Sequence, residues 1–443
     1  MAGQALWLGR IIRGRSSRGV PRVLSLRRLT ILAVLWLVAA EPAYAAGNPM
    51  QLVGSLAPWA NGQFSNLAAD ASRHVAYLGS FDDQGVAVIN TTNPASPVLT
   101  ATLSTVITGP QDTSDSADLD RVGHYLAVSH QPWSSSGAFG GISVYDIAPD
   151  PYHPVLLRRI QSAPVHTVQL DPEVESGRPY AYLNSEWDGK VTIVNILTGA
   201  ILGQYASPEG LLCQPSDADC QAFNFAHEGH IQRHPVSGLV LDYVSYWDSG
   251  LRIVDVTDPT APVEVGSFDY SPATDGNCCA HDAKPTPSGD WVYLEDEIGV
   301  GATGGVRVLE TSACDGVSYC TPDEVGTWHI PGHEVQAGAY HGRGGGAWHG
   351  VVQRYFTFDA HNLDVKGENT LLVANYSMGV RLIDTTDKTA PVETAFYLPN
   401  ANKAAACKCF FQGRETWGAY FGTDGRIYAS DFWLGLFIVQ PRN

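Results

Sequence analysis

Charge is scarce in this chain, and positive charge scarcer still. Only 16% of its 443 residues are charged, with 27 Lys and Arg against 45 Asp and Glu. The formal net charge of −18 repels phosphate backbones and anionic lipid, which excludes nucleic acid and bilayer surfaces as partners. There is no Gly-x-Ser-x-Gly elbow, no phosphate-binding loop and no His-Glu-x-x-His. The usual serine-hydrolase, nucleotide-dependent and zinc-protease arrangements are therefore missing. Long hydrophobic runs are missing too. The apolar stretch from Leu29 to Ala40 falls short of the roughly 20 residues that a bilayer requires.

That stretch has another reading. Residues 1–28 hold seven arginines and no acid, and Ala43-Tyr44-Ala45 follows as a small-x-small cleavage signal. Residues 1–45 read as an export leader cleaved after Ala45. Arg27-Arg28 keeps a twin-arginine route open beside the ordinary secretory one. The leader holds seven Arg and one Glu, so residues 46–443 carry about −24. The expected location is periplasmic or extracellular, with no membrane span after cleavage. Cysteine is absent from the first 212 residues; all eight follow, at Cys213, Cys220, Cys278, Cys279, Cys314, Cys320, Cys407 and Cys409. In an oxidising compartment Cys213/Cys220 and Cys314/Cys320 can close small loops. Cys278-Cys279 and Cys407-x-Cys409 can pair with each other, pair internally or bind a soft metal.

What the chain has in quantity is glycine and proline, 45 and 27 residues, spread as many short strands joined by turns require. One pattern recurs: Gly, an apolar strand, then a polar or acidic residue. Gly85, Gly141, Gly189, Gly250, Gly305, Gly379 and Gly435 open seven copies, spaced by 48 to 74 residues. Three copies run on into a Pro-bounded turn and a further strand: Asn93-Pro94-Ala95-Ser96-Pro97-Val98, Asp258-Pro259-Thr260-Ala261-Pro262-Val263 and Asp387-Lys388-Thr389-Ala390-Pro391-Val392. A second apolar strand precedes each Gly, as in Val75-Ala76-Tyr77-Leu78. Each unit reads as four short antiparallel strands, a propeller blade. The seventh copy lacks an outer strand, and residues 50–56 resemble the outer-strand text Pro262 to Phe268. The expected fold is all-β, a seven-bladed propeller over residues 46–443 closed by an N-terminal strand that completes the last blade. A long insertion, about 327–360, interrupts the repeat.

Leu251-Arg252-Ile253-Val254-Asp255 with its Asp-Pro-x-x-Pro-Val tail resembles the LVIVD repeat of bacterial secreted and surface propellers. That resemblance implies the fold and leaves function open, because propellers host binding, scaffolding and catalysis alike.

Chemistry is sought among the 14 histidines. His166, His230, His281 and His361 each open the first strand of a blade, which lines the central channel. Blades three to six would bring four imidazoles to one axial site, and Ser65, Ser116 and Trp417 hold the matching places in blades one, two and seven. Convergent neutral imidazoles suit Fe, Cu or Zn. The arrangement is similar in outline to the four-histidine iron centre of carotenoid cleavage oxygenases and to the histidine-lined channel of the selenium-binding and methanethiol oxidase proteins. Glu228, Asp282 and Glu334 are candidates to orient the imidazoles. The Gly-rich insertion carries His329, His333, His341 and His349 and reads as a lid or ligand donor, or as a solvated loop. Glu295-Asp296-Glu297 reads as a solvated turn or a calcium ligand set. Two functions follow: a metal-dependent oxidoreductase or oxygenase on a small organic substrate, or a non-catalytic scaffold holding a ligand or protein at the mouth. In the second, the histidines hydrogen-bond the backbone of neighbouring blades.

Overall fold

The computed structural model describes residues 47–81, 85–107, 114–116, 118–132, 139–208, 224–269, 280–297, 305–330, 360–376, 378–400 and 415–442. The leader with its cleavage site, the cysteines other than Cys314 and Cys320, and Glu334, His333, His341 and His349 lie outside these residues.

Seven antiparallel sheets follow one another along the chain, each with its first strand innermost. Blade one runs Phe64–Asp70, Val75–Ser80, Val86–Asn90 and Val98–Leu103. Blade four runs Ala226–Glu228 with Ile231–Arg233, then Val240–Tyr246, Gly250–Asp255 and Val263–Phe268. The inner strands contact one another from blade one round to blade seven and back to blade one, so the ring is closed. The described residues contain one short helical turn, Trp247–Ser249, and no helix long and apolar enough to cross a membrane.

Closure follows the sequence expectation. Gln51–Leu56 pairs antiparallel with Gly435–Gln440 as the outer strand of blade seven. Just before it, Asn48–Pro49 pairs parallel with the outer strand of blade six. The segment thus clasps two blades. The insertion begins later than its text suggested, because Asp323–Trp328 is the outer strand of blade five.

The repeated glycine has a backbone reason. Six of the seven copies place it at positive φ, for example Gly250 at 82° and Gly435 at 80°, where a Cβ is disfavoured. The strand that follows is apolar on both faces because a blade is covered on both sides by its neighbours. Accordingly the core is seven clusters, one at each blade boundary. The Pro-bounded turns dock on these boundaries from outside. The turn of blade four presses on the outer strand of blade three, where a Cβ on Gly203 would lie 2.4 Å from Pro259 O. Gly326 meets Lys388 O of blade six in the same way, at 2.3 Å. In blade five the Cys314–Cys320 disulfide closes the loop at the corresponding place. It docks on blade four through Ser267 N to Cys320 O at 3.1 Å and Cys320 N to Val265 O at 3.0 Å.

Candidate metal centre at the channel mouth

A bulge opens the inner strand in most blades. Register shifts fall between Phe64 and Leu67, Ala226 and Glu228, Ala280 and Asp282, Ala360 and Leu363, and Thr416 and Gly418. A bulged residue leaves the ladder and its side chain is re-aimed. Among the residues set free are His227, His281, His361 and Trp417, and these four line up side by side. Ring centroids lie 4.5 Å apart for His166 and His227, 4.0 Å for His227 and His281, 4.1 Å for His281 and His361, and 4.1 Å for His361 and Trp417. The arc covers blades three to seven. Ser65 and Ser116 close the circle, Ser65 Oγ donating to Ser116 O.

The fourth imidazole is therefore His227, not His230. The inner strand of blade four is broken at Gly229-His230, and the sequence reading took the second half for the whole. His230 lies three residues further along, half-buried, lining a cavity of about 280 Å³ with Asp118, Asp120, Lys284, Asp364 and Tyr420. A dipeptide marks the true position: Ala226-His227, Ala280-His281 and Ala360-His361 all share it.

Burial disfavours the charged form of three of these imidazoles. It pushes His227 and His281 well below the ordinary histidine range and brings His361 down to about 3. Three of the four have Nδ1 beside an acceptor. His166 Nδ1 is 2.8 Å from Gln131 Oε1, His281 Nδ1 is 2.9 Å from Glu295 Oε2, and His361 Nδ1 is 2.7 Å from the Trp417 carbonyl. A proton held there leaves the lone pair on Nε2. Metal-ligating histidines are oriented in this manner.

The residues expected to do this orienting have other partners. Glu228 Oε2 accepts from Asn362 Nδ2 at 2.9 Å, and Oε1 lies 3.7 Å from Lys284 Nζ. Asp282 Oδ2 accepts the Leu363 N–H of the next blade at 2.8 Å, while Oδ1 lies 3.5 Å from Lys284 Nζ. Asp118 and Asp364 likewise accept Val168 N–H and Phe421 N–H from their neighbours, each at 2.8 Å. These acids satisfy the free edge of the next inner strand. The Glu295-Asp296-Glu297 run is not a solvated turn, since Glu295 and Asp296 are buried. Glu297 accepts from Tyr376 Oη. Glu295 pairs across the sheet with Asp282, immediately beyond the His281 bulge.

Three groups of side chains bring ligand atoms within 4.8 Å of one another: His166, Glu186 and His227; His227, Glu228 and His281; His281, Glu297 and His361. Aromatic rings flank both ends of the arc. Trp247 stacks on His227 at 5.1 Å, and Phe81 and Phe432 pack on Trp417 at 5.2 and 5.8 Å.

Comparison with known proteins supports the architecture. A family model, the LVIVD repeat, matches residues 241–270, which hold the second strand of blade four from its second residue and the whole of the third and fourth. The crystal structure of the C-terminal WD40 domain of Sif2 is similar in fold, with a TM-score of 0.54 at 10% identity over 90% of this chain and 99% of that one. A search of curated proteins gives no match.

Proposed function

We propose, for a chain that carries an LVIVD repeat on a seven-bladed propeller, that the channel mouth is a transition-metal centre acting on a small organic substrate. His166, His227, His281 and His361 supply imidazole ligands for Fe, Cu or Zn. The observation that carries this reading is the pair of acceptors at Nδ1 of His166 and His361, which would leave Nε2 of each ring for coordination, with Glu295 beside Nδ1 of His281. The Ser65–Ser116 side of the circle leaves room for exchangeable ligands, as a catalytic metal needs. Partly exposed Phe81, Trp417 and Phe432 offer apolar contact to the substrate. A bound redox metal would supply oxidation chemistry; the chain itself would hold the imidazoles, exclude water with its aromatic rings and fix the ring tautomers. The Cys314–Cys320 disulfide fits an exported protein, periplasmic or extracellular.

One observation favours a non-catalytic scaffold instead. His361 reaches across a blade boundary to the Trp417 carbonyl, so imidazoles can serve as struts between blades. Elemental analysis of purified protein separates the two. The metal reading expects bound metal in the parent, a lowered content in His227→Ala, and full retention in His230→Ala. A folded parent that takes up no Fe, Cu or Zn leaves the scaffold reading standing.

A further inference from the structure

We propose that the imidazole arc is built for two metal ions, one at each end. The inference rests on the metal-centre reading above. Ligand atoms of one ion sit about 2.0–2.2 Å from it, so any two of them lie within about 4.4 Å of each other. The donor groups that approach this spacing each join two histidines and one glutamate; among the described residues none joins three imidazoles. The first group, His166, Glu186 and His227, shares no residue with the third, His281, Glu297 and His361. One straddles the boundary of blades three and four, the other that of blades five and six. Each has two imidazoles and a carboxylate, a donor set that leaves positions open on a first-row metal.

The middle group links them. Glu228 stands within reach of His227 from one pair and His281 from the other, where a carboxylate can bridge two ions. Charge agrees with this occupancy. Two divalent ions would bring four positive charges, and Glu186, Glu228 and Glu297, ionised on binding, would offset three of them. A single ion would use only one of the two His pairs and its glutamate.

The test is stoichiometry. The full exported chain is stripped with a chelator, titrated with Zn²⁺ by calorimetry, desalted and assayed for zinc by elemental analysis. Two equivalents per chain are expected. His166→Ala and His361→Ala should each retain one, with circular dichroism confirming the fold. Copper loading gives an independent readout, because two coupled Cu²⁺ ions in the parent lose paramagnetic signal that each single-site variant regains. One equivalent in the parent overturns the two-ion inference and leaves a mononuclear centre, and so does loss of all zinc in a folded His166→Ala variant. No zinc in the parent overturns the metal-centre reading itself.

Discussion

Replacing Lys284 by Met tests what holds the inner level of the channel together. The Lys284 side chain is 12% exposed, with Asp282 and Glu228 at 3.5 and 3.7 Å. Its charge also pulls down the carboxyls of Asp364 and Asp120. Methionine keeps much of the stem's volume and removes the ammonium. Taking one partner from a buried ion pair costs about 3–5 kcal/mol, a large share of the roughly 5–15 kcal/mol that stabilises a typical protein. The sign of the pH dependence follows from the acids. Burial raises Asp282, raises Glu228 well above its ordinary range and lifts Asp364 to about 6. A carboxyl raised in the folded state favours folding at pH below its unfolded value, about 4, and that advantage is lost as pH rises through the folded value. Without Lys284 the folded values climb further. The deficit of Lys284→Met should thus be larger at pH 8 than at pH 5, where Asp364, lifted to about 6, is largely neutral. Urea unfolding of parent and variant at both pH values measures it; His227, His281 and His361 contribute alike to both proteins, whereas His230 also feels the Lys284 charge. Equal stability at pH 8, or the same deficit at both pH values, refutes the reasoning.

Other substitutions probe other levels. Gly203→Ala should lower stability by about 1–3 kcal/mol through overpacking, since its Cβ would sit 2.4 Å from Pro259 O; thermal unfolding reads this, and a neutral result means the turn can yield. Replacing Cys314 and Cys320 together by Ser should cost about 2 kcal/mol while leaving metal content unchanged, which a melt and elemental analysis check together. Glu295→Gln should weaken metal affinity about 10–100-fold through the orientation of His281, measured by competition with a chelator. Because burial brings His361 down to about 3, it stays able to ligate when pH falls through 6.5, the usual imidazole value. Metal retention on dialysis at pH 5.5 is the corresponding check.

The fold was legible because its signal repeats. Each third strand needs a glycine at positive φ and a run that is apolar on both faces, so Gly250-Leu251-Arg252-Ile253-Val254-Asp255 and its six relatives stand out without reference to neighbours. Ser65, Ser116, His166, His281, His361 and Trp417 were legible from the same periodicity, as were the pairing of residues 51–56 and the Cys314–Cys320 loop. His227 escaped because Gly229 splits the inner strand of blade four, and two histidines three residues apart competed for one position. Gln131 and Glu295 escaped for a different reason. They act on an imidazole from another strand or another blade, and only strand pairing in blade five and the packing of blade two on blade three bring them within 3 Å. Arg252, Arg307 and Arg381 carry a further lesson. They share one place in the third strand and are fully buried, which a single positive charge in an apolar run does not announce. Arg307 is compensated by Asp296 at 3.0 Å and Glu324 at 2.7 Å.

The clasp made by residues 48–56 has a consequence for how the molecule comes together in time. Gln51 pairs with Gln440 and Asn48 with Ala395, so nearly the whole chain is looped out between partners. Entropy penalises such a contact until most of the intervening blades exist, and contacts of high sequence separation form slowly. A chain synthesised from its N-terminus delivers the clasp early and its partner strand last. During that interval blade seven has three strands, and the outer edges of blades six and seven are uncovered, offering their backbone groups to any passing strand. The order of delivery therefore makes the period just before ring closure the moment of greatest exposure to aggregation. A chaperone that occupies an exposed sheet edge would act there.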